Sequence, residues 1–204
     1  MKQEFLELMP PEASLEARFS FVDNDVLRSN IVIYFRYITF LLKLSEDKSI
    51  DALAYSLNKD IILYTASIIE SLLEYTVSRE ILKGNAEKKV FGKGEKVSAL
   101  ATIDHACASL EESNSKLQVI KKSWYFRYGT NDRIDFKDIT HAAKASGILD
   151  AAEYEAAESL RKKRNTIHIS TLTRSSDDYF EKKDVEDAFT YASRIIRKIE
   201  PLYA

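Results

Sequence analysis

A chain of 204 residues is long enough to bury a core of its own, and its five glycines and three prolines are too few for an all-β sandwich or barrel, which needs turn residues about every ten positions. Hydrophobic content of 45% with 30% charge of both signs excludes a disordered chain, and the single cysteine, Cys107, excludes an intramolecular disulfide framework. Thirty basic residues against 32 acidic ones give a formal net charge of -2, so no global positive field draws in nucleic acid and any such contact must be local.

The chain begins with Glu4, Glu7 and the pair Pro10-Pro11, without a basic leader or a small-residue cleavage site, so residues 1–20 read as an extended entry segment and not as an export signal. The longest apolar stretch, Ile31 to Leu42, is interrupted by Arg36 and falls well short of the roughly 20 residues that span a bilayer. A cytoplasmic protein with no membrane partner is expected. Val26 to Leu44 carries apolar residues around most of a helix surface, with Asp25 as the expected N-cap. After the polar link Ser45 to Ser49, a second helix is expected over Asp60 to Lys83. Its stripe is Ile61, Tyr64, Ile68, Leu72, Tyr75 and Ile81, and Gly84 closes it.

Lys88 to Lys96 lacks periodicity and holds Gly92 and Gly94 among four lysines, which predicts a surface loop. Val97 to Leu110 predicts a third helix. The stretch 116–134 reads either as two short strands, Leu117 to Ile120 and Trp124 to Tyr128, or as an irregular packed segment turning at Gly129. Asp135 then caps a helix through Ser146 that stops at Gly147, and Asp150 starts another reaching about Thr171. A last helix runs Asp184 to Glu200 ahead of Pro201. No repeat is visible, and the pattern predicts one all-α bundle over 1–204. An apolar surplus in the first two helices predicts that it forms a homodimer.

Chemically capable residues are densest in Leu160-Arg161-Lys162-Lys163-Arg164-Asn165-Thr166-Ile167-His168. On a continuous helix Arg161 and His168 fall about 20° apart, with Arg164 about 40° from His168 and Asn165 alongside. A histidine that exchanges protons near neutrality, beside guanidinium groups that fork onto phosphate oxygens, suits metal-free phosphodiester cleavage. The alternative is a solvated basic face with a structural histidine. Glu70, between Ile69 and Ser71 in an otherwise apolar helix, needs a cation if it is buried. Arg161 or Arg164 is the expected partner, either to orient the arginine or only to fix packing, and Glu74 one turn on is open to the same roles.

The run from Leu160 to His168, preceded by Asp-Phe-x-Asp-Ile-x-x-Ala-x-x-x-Gly-Ile from Asp135 to Ile148, resembles the HEPN (higher eukaryotic and prokaryotic nucleotide-binding) superfamily, with Ile61 to Ile81 resembling its earlier core helix. The resemblance implies a dimerising helical bundle and metal-independent endoribonuclease activity on RNA. It implies no cofactor or metal, and a setting in a toxin or antiphage system with an antitoxin or other defence protein as partner. The implied site residues are Arg161, Arg164, Asn165 and His168, with Glu70 in support. A catalytically silent module binding RNA, a nucleotide or a protein is the alternative within the same family. The family's arginine is followed by a polar residue such as asparagine, with the histidine a few residues on. Here Arg164 has Asn165 beside it but only three residues before His168, whereas Arg161 has six residues before His168 and Lys162 beside it. The tyrosine that some members carry two residues past the histidine is Ser170 here.

The other reactive residues form no second centre. Asp104, His105 and Cys107 point around a helix in different directions, so neither a zinc site nor an oriented thiol nucleophile is expected. His141 reads as a partly exposed surface histidine. Trp124, Tyr125, Phe126 and Tyr128, interleaved with Arg127, fit core or dimer packing, or base stacking.

Overall fold

The computed structural model describes residues 10–46, 53–82, 135–166 and 180–203, the side chains of 80–82 apart. Within them the chain is all-α, with six helices and no strand, the architecture of a helical bundle. The expected surface loop at 88–96, the third helix and the insert at 116–134 lie outside the described residues. The chain divides into two compact units, one of residues 1–71 and 159–204 and one of residues 72–158.

The first unit opens with α1 (Glu12–Arg18). Part of the expected extended entry is therefore helical. Glu12-Ala13-Ser14-Leu15-Glu16-Ala17-Arg18 holds mostly good helix formers, and Pro11, which cannot continue a helix backwards, sits at its N-cap. Leu15, Phe19 and Val22 are buried, and Phe19 meets Phe35 at 6.1 Å between ring centroids. Next comes α2 (Asp25–Ser45). Its N-cap is Asn24, not the expected Asp25: Asn24 Oδ1 accepts the Leu27 N–H at 3.0 Å, and Asp25, one residue too late to cap, pairs instead with Arg28. Arg36, the charge that interrupts the apolar stretch, reaches back to Glu12 of α1.

The next helix, α3 (Ala54–Leu82), starts six residues before the expected Asp60, since Ala54 to Lys59 contains no helix breaker. Its residues 61–71 and the opening helices form the first unit's core through Ile31, Val32, Ile38, Leu41, Ile61, Ile62, Ala66, Ile68 and Ile69. The stripe is broader than predicted, and Tyr64 lies at its edge, half-buried. By length and composition Ala54–Arg79 matches a membrane span at a mean hydropathy of 1.2. With 56% of that apolar window buried inside the protein, it has the character of a core helix.

The last helix of this unit, α6 (Lys182–Ile199), begins with a capping box in which the Glu181 N–H donates to Asp184 Oδ2 at 2.9 Å. Val185, Ala188, Ala192, Ile195, Ile196 and Ile199 form its buried stripe, and Pro201 follows within a 3-10 turn, Glu200–Leu202.

The second unit holds residues 72–82 of α3, all of α4 (Phe136–Ala145), and the start of α5 (Ala151–Asn165). Asp135 takes the N-cap position of α4 but makes no side-chain cap bond. Gly147 ends the helix as predicted, at φ 75°, a left-handed conformation that costs glycine little, and the Ile148 N–H returns to the Ala143 carbonyl at 2.9 Å. Asp150 Oδ1 accepts the N–H groups of Ala152 and Glu153 at 2.9 and 3.2 Å and so starts α5. Phe136, Ile139, Ala142, Ala143, Ile148 and Leu149 are buried here. So is the Thr140 hydroxyl, which donates to Glu158 Oε1 at 2.6 Å and gives that covered carboxylate a partner.

Candidate functional site

The first unit contains the last turns of α5, where the basic run lies. Leu160, 1% exposed, fixes the helix against the core. Four residues on, on the same face, Arg164 Nη1 lies 3.2 Å from Glu70 Oε2, with side chains only 23% and 13% exposed. Arg164, one of the two expected partners, thus pairs with Glu70. A guanidinium carries five N–H donors in a rigid fork, so a carboxylate on one nitrogen orients the group while donors on its other edges keep their directions toward a second anion.

Lys163, the preceding residue on the same turn, points about 100° around the helix from Arg164. Its Nζ lies 2.7 Å from Asp184 Oδ1 and 5.5 Å from the centre of the Phe180 ring. Phe180 is 1% exposed, and its carbonyl accepts from Asn58 Nδ2 at 2.9 Å. The end of α5 and the start of α6 are therefore tied together and to α3. A shallow cleft of about 180 Å³ beside this pair is lined by Ser159, Lys163, Asp184, Asp187 and Tyr191. Sequence reasoning missed the Lys163–Asp184 pair. The one available signal was an aspartate in the first turn of the last helix, a position equally explained by capping.

Arg161 is half-buried and Asn165 exposed. The described part of the helix runs to Asn165, with Thr166 in a turn whose hydroxyl donates to the Lys163 carbonyl at 2.7 Å. The remainder of the helix expected to reach Thr171 lies outside the described residues. His168 and Ser170 lie outside the described residues, so the strip expected on a continuous helix is seen only for Arg161, Arg164 and Asn165.

The second unit has a polar contact of its own. His141 Nδ1 and the Tyr154 hydroxyl are 3.2 Å apart, and Lys144 Nζ sits 4.1 Å from the centre of the Tyr154 ring. His141 is thus half-buried in an α4 to α5 contact, in keeping with a partly exposed position. Burial first and the neighbouring Asp135 second push the Asp138 carboxyl above the usual aspartate range, against the opposing pull of His141 and Lys137. Among the described residues no group of three His, Cys, Asp or Glu side chains is placed to hold a metal ion. Asp104, His105, Cys107 and the aromatic run Trp124 to Tyr128 lie outside the described residues. Comparison of the chain with family models, curated proteins and solved structures gave no match.

Proposed function

We propose that the chain is a HEPN-type, metal-independent endoribonuclease of a prokaryotic toxin or antiphage system, acting in the cytoplasm. The observation that carries the reading is the Arg164–Glu70 pair, a mostly covered carboxylate that fixes a guanidinium at the end of the helix leading to His168. In this reading His168 moves a proton at the 2′-hydroxyl or at the leaving oxygen, and the 2′-oxygen attacks the adjacent phosphorus to give a 2′,3′-cyclic phosphate and a free 5′-hydroxyl. Arg164 and Arg161 offset the charge that develops on the phosphorane, and Asn165 orients the phosphate. Glu70 is a positioning residue.

The second reading, a silent module that binds RNA, a nucleotide or a partner protein, is favoured by one specific feature. Lys163 and Arg164 are both engaged by carboxylates, which reduces the positive potential the run offers a phosphate. The two readings separate on RNA incubated with the protein in EDTA. Cleavage that falls by at least about 100-fold in His168→Ala, the scale of a lost general acid or base, supports the enzyme. Intact RNA across a broad substrate panel, or a His168→Ala protein as active as wild type, leaves the binding module.

A further inference from the structure

The cleft of about 180 Å³ between the end of α5 and the start of α6 involves none of the residues assigned above to phosphate chemistry. Its floor is apolar, with Leu160 1% exposed and Ala188 3%. Its rim is polar, with Lys163 from α5 and Asp184, Asp187 and Tyr191 from α6. The three α6 residues fall within about 60° of one another around their helix, so they border the same opening. At about 30 Å³ per water the cleft has room for about six waters, less than the roughly 300–1,000 Å³ that encloses a whole ligand. Such a space fits one flat group, its face on the apolar floor and its polar edge at the rim.

The rim groups are not equally engaged. Asp184 uses both carboxylate oxygens, Oδ1 toward Lys163 Nζ at 2.7 Å and Oδ2 toward the Glu181 N–H at 2.9 Å. Asp187, one turn further along α6, is half-buried and has neither an ion pair nor a hydrogen bond among the described residues. A partly covered carboxylate without a donor is less stable than one that has found two. Lys163 brings three N–H donors to the same rim, and the contact with Asp184 takes one of them. The opening therefore presents a cationic donor and an acceptor-only carboxylate side by side.

This pattern selects among guests. An ammonium or guanidinium ion carries donors only and would meet Lys163 as a like charge. A nucleobase in a single strand carries donors and acceptors on an open Watson–Crick edge. Guanine presents the O6 acceptor next to two N–H donors, N1 and N2, so its carbonyl answers Lys163 and its donor pair answers both oxygens of Asp187. Adenine and cytosine offer one amino group beside an acceptor, and uracil one N–H between two carbonyls. We infer that the cleft is a guanine pocket, in which Asp187 accepts from N1–H and N2–H, Lys163 donates to O6 and Tyr191 flanks the ring. The inference rests on the ribonuclease reading only in placing that guanine within an RNA strand. Lys163 immediately precedes Arg164, so a base in the cleft stands beside the guanidinium assigned to the phosphate.

Amide chemical shifts of the labelled full chain, titrated with mononucleotides, test the pocket without RNA cleavage. 5′-GMP is expected to shift the amides of Leu160, Lys163, Asp187 and Ala188 with a dissociation constant of about 1 mM. 5′-IMP, which lacks the N2 amine, is expected to bind about tenfold more weakly, as are AMP, CMP and UMP. Asp187→Asn is expected to bring GMP down to the level of IMP with an unchanged melting curve. Equal binding of GMP, IMP and the other nucleotides overturns the inference, and so does a guanine preference that persists in Asp187→Asn. Spermidine or argininamide shifting the same amides more strongly than GMP would make the cleft a cation site and overturn it as well. Guanine selectivity in a protein that cuts no RNA keeps the pocket and removes the enzyme. RNA cleavage without guanine selectivity keeps the enzyme and removes the pocket.

Discussion

At the scale of single residues, Arg164 of the basic run has the company of Glu70. Both side chains are largely covered, so breaking the pair costs more than a solvent-exposed ion pair does and less than a fully buried one. A double-mutant cycle with Glu70→Gln and Arg164→Met, followed by urea unfolding, is expected to give a coupling of about 1–2 kcal/mol. A coupling near zero would reduce the pair to a surface contact and remove its role in orienting the guanidinium. Asp138 provides a pH test. Its carboxyl is raised in the folded chain, so its contribution to stability is fully present below the unfolded value and is lost as pH rises through the folded one. Asp138→Asn is therefore expected to gain stability relative to wild type between about pH 3 and pH 7, read from urea midpoints at each pH. A gap that stays constant over that window would contradict the burial argument.

At the scale of helices, local chemistry sets the ends and long-range pairs set the directions. The start of α6 shows both at once, because Asp184 accepts the Glu181 N–H through one oxygen and Lys163 through the other. Asp184→Ala loses the cap and the pair together, and a cost of about 1–2 kcal/mol is expected. Lys163→Met loses the pair alone and is expected to cost about 0.5 kcal/mol in the same unfolding assay. Equal losses in the two variants would assign the whole effect to the ion pair. Helix starts were readable where a side chain and its neighbours agree, as at Asp150, and were missed by a residue at Asn24, where two cap-capable residues stand side by side. Propensity without a breaker extended α3 back to Ala54, a shift that periodicity counted from Ile61 onward could not register.

At the scale of the molecule, the proposed chemistry makes a demand that no single helix meets. Arg164 on α5 has to be oriented by Glu70 on α3, so catalysis should respond to a residue almost a hundred positions away in sequence. In the enzyme reading, Arg164→Ala is expected to lower RNA cleavage by about 100-fold or more, and Glu70→Gln by a smaller factor, since the guanidinium remains but is less well held. A DNA copy of a cleaved RNA should stay intact, because the attacking 2′-hydroxyl is absent. Cleavage of that DNA copy would rule out the cyclic-phosphate route.

The amino-acid pattern by itself determined the all-α class, the left-handed stop at Gly147, the cap at Asp150 and the need of Glu70 for a cation, because each follows from local sterics or from the cost of an unpaired buried charge. Composition and period carry that information over a few residues at a time. The tertiary structure decided that Arg164 reaches Glu70, that Lys163 belongs to Asp184, and that Val26, Ile33 and Tyr37 face outward while Ile31, Val32 and Ile38 face in. In a helix as apolar all round as α2, periodicity does not distinguish the face that neighbouring helices cover from the face they leave open. That choice depends on where α1 and α3 lie against it, and a position in three dimensions is the sum of contacts distant in sequence.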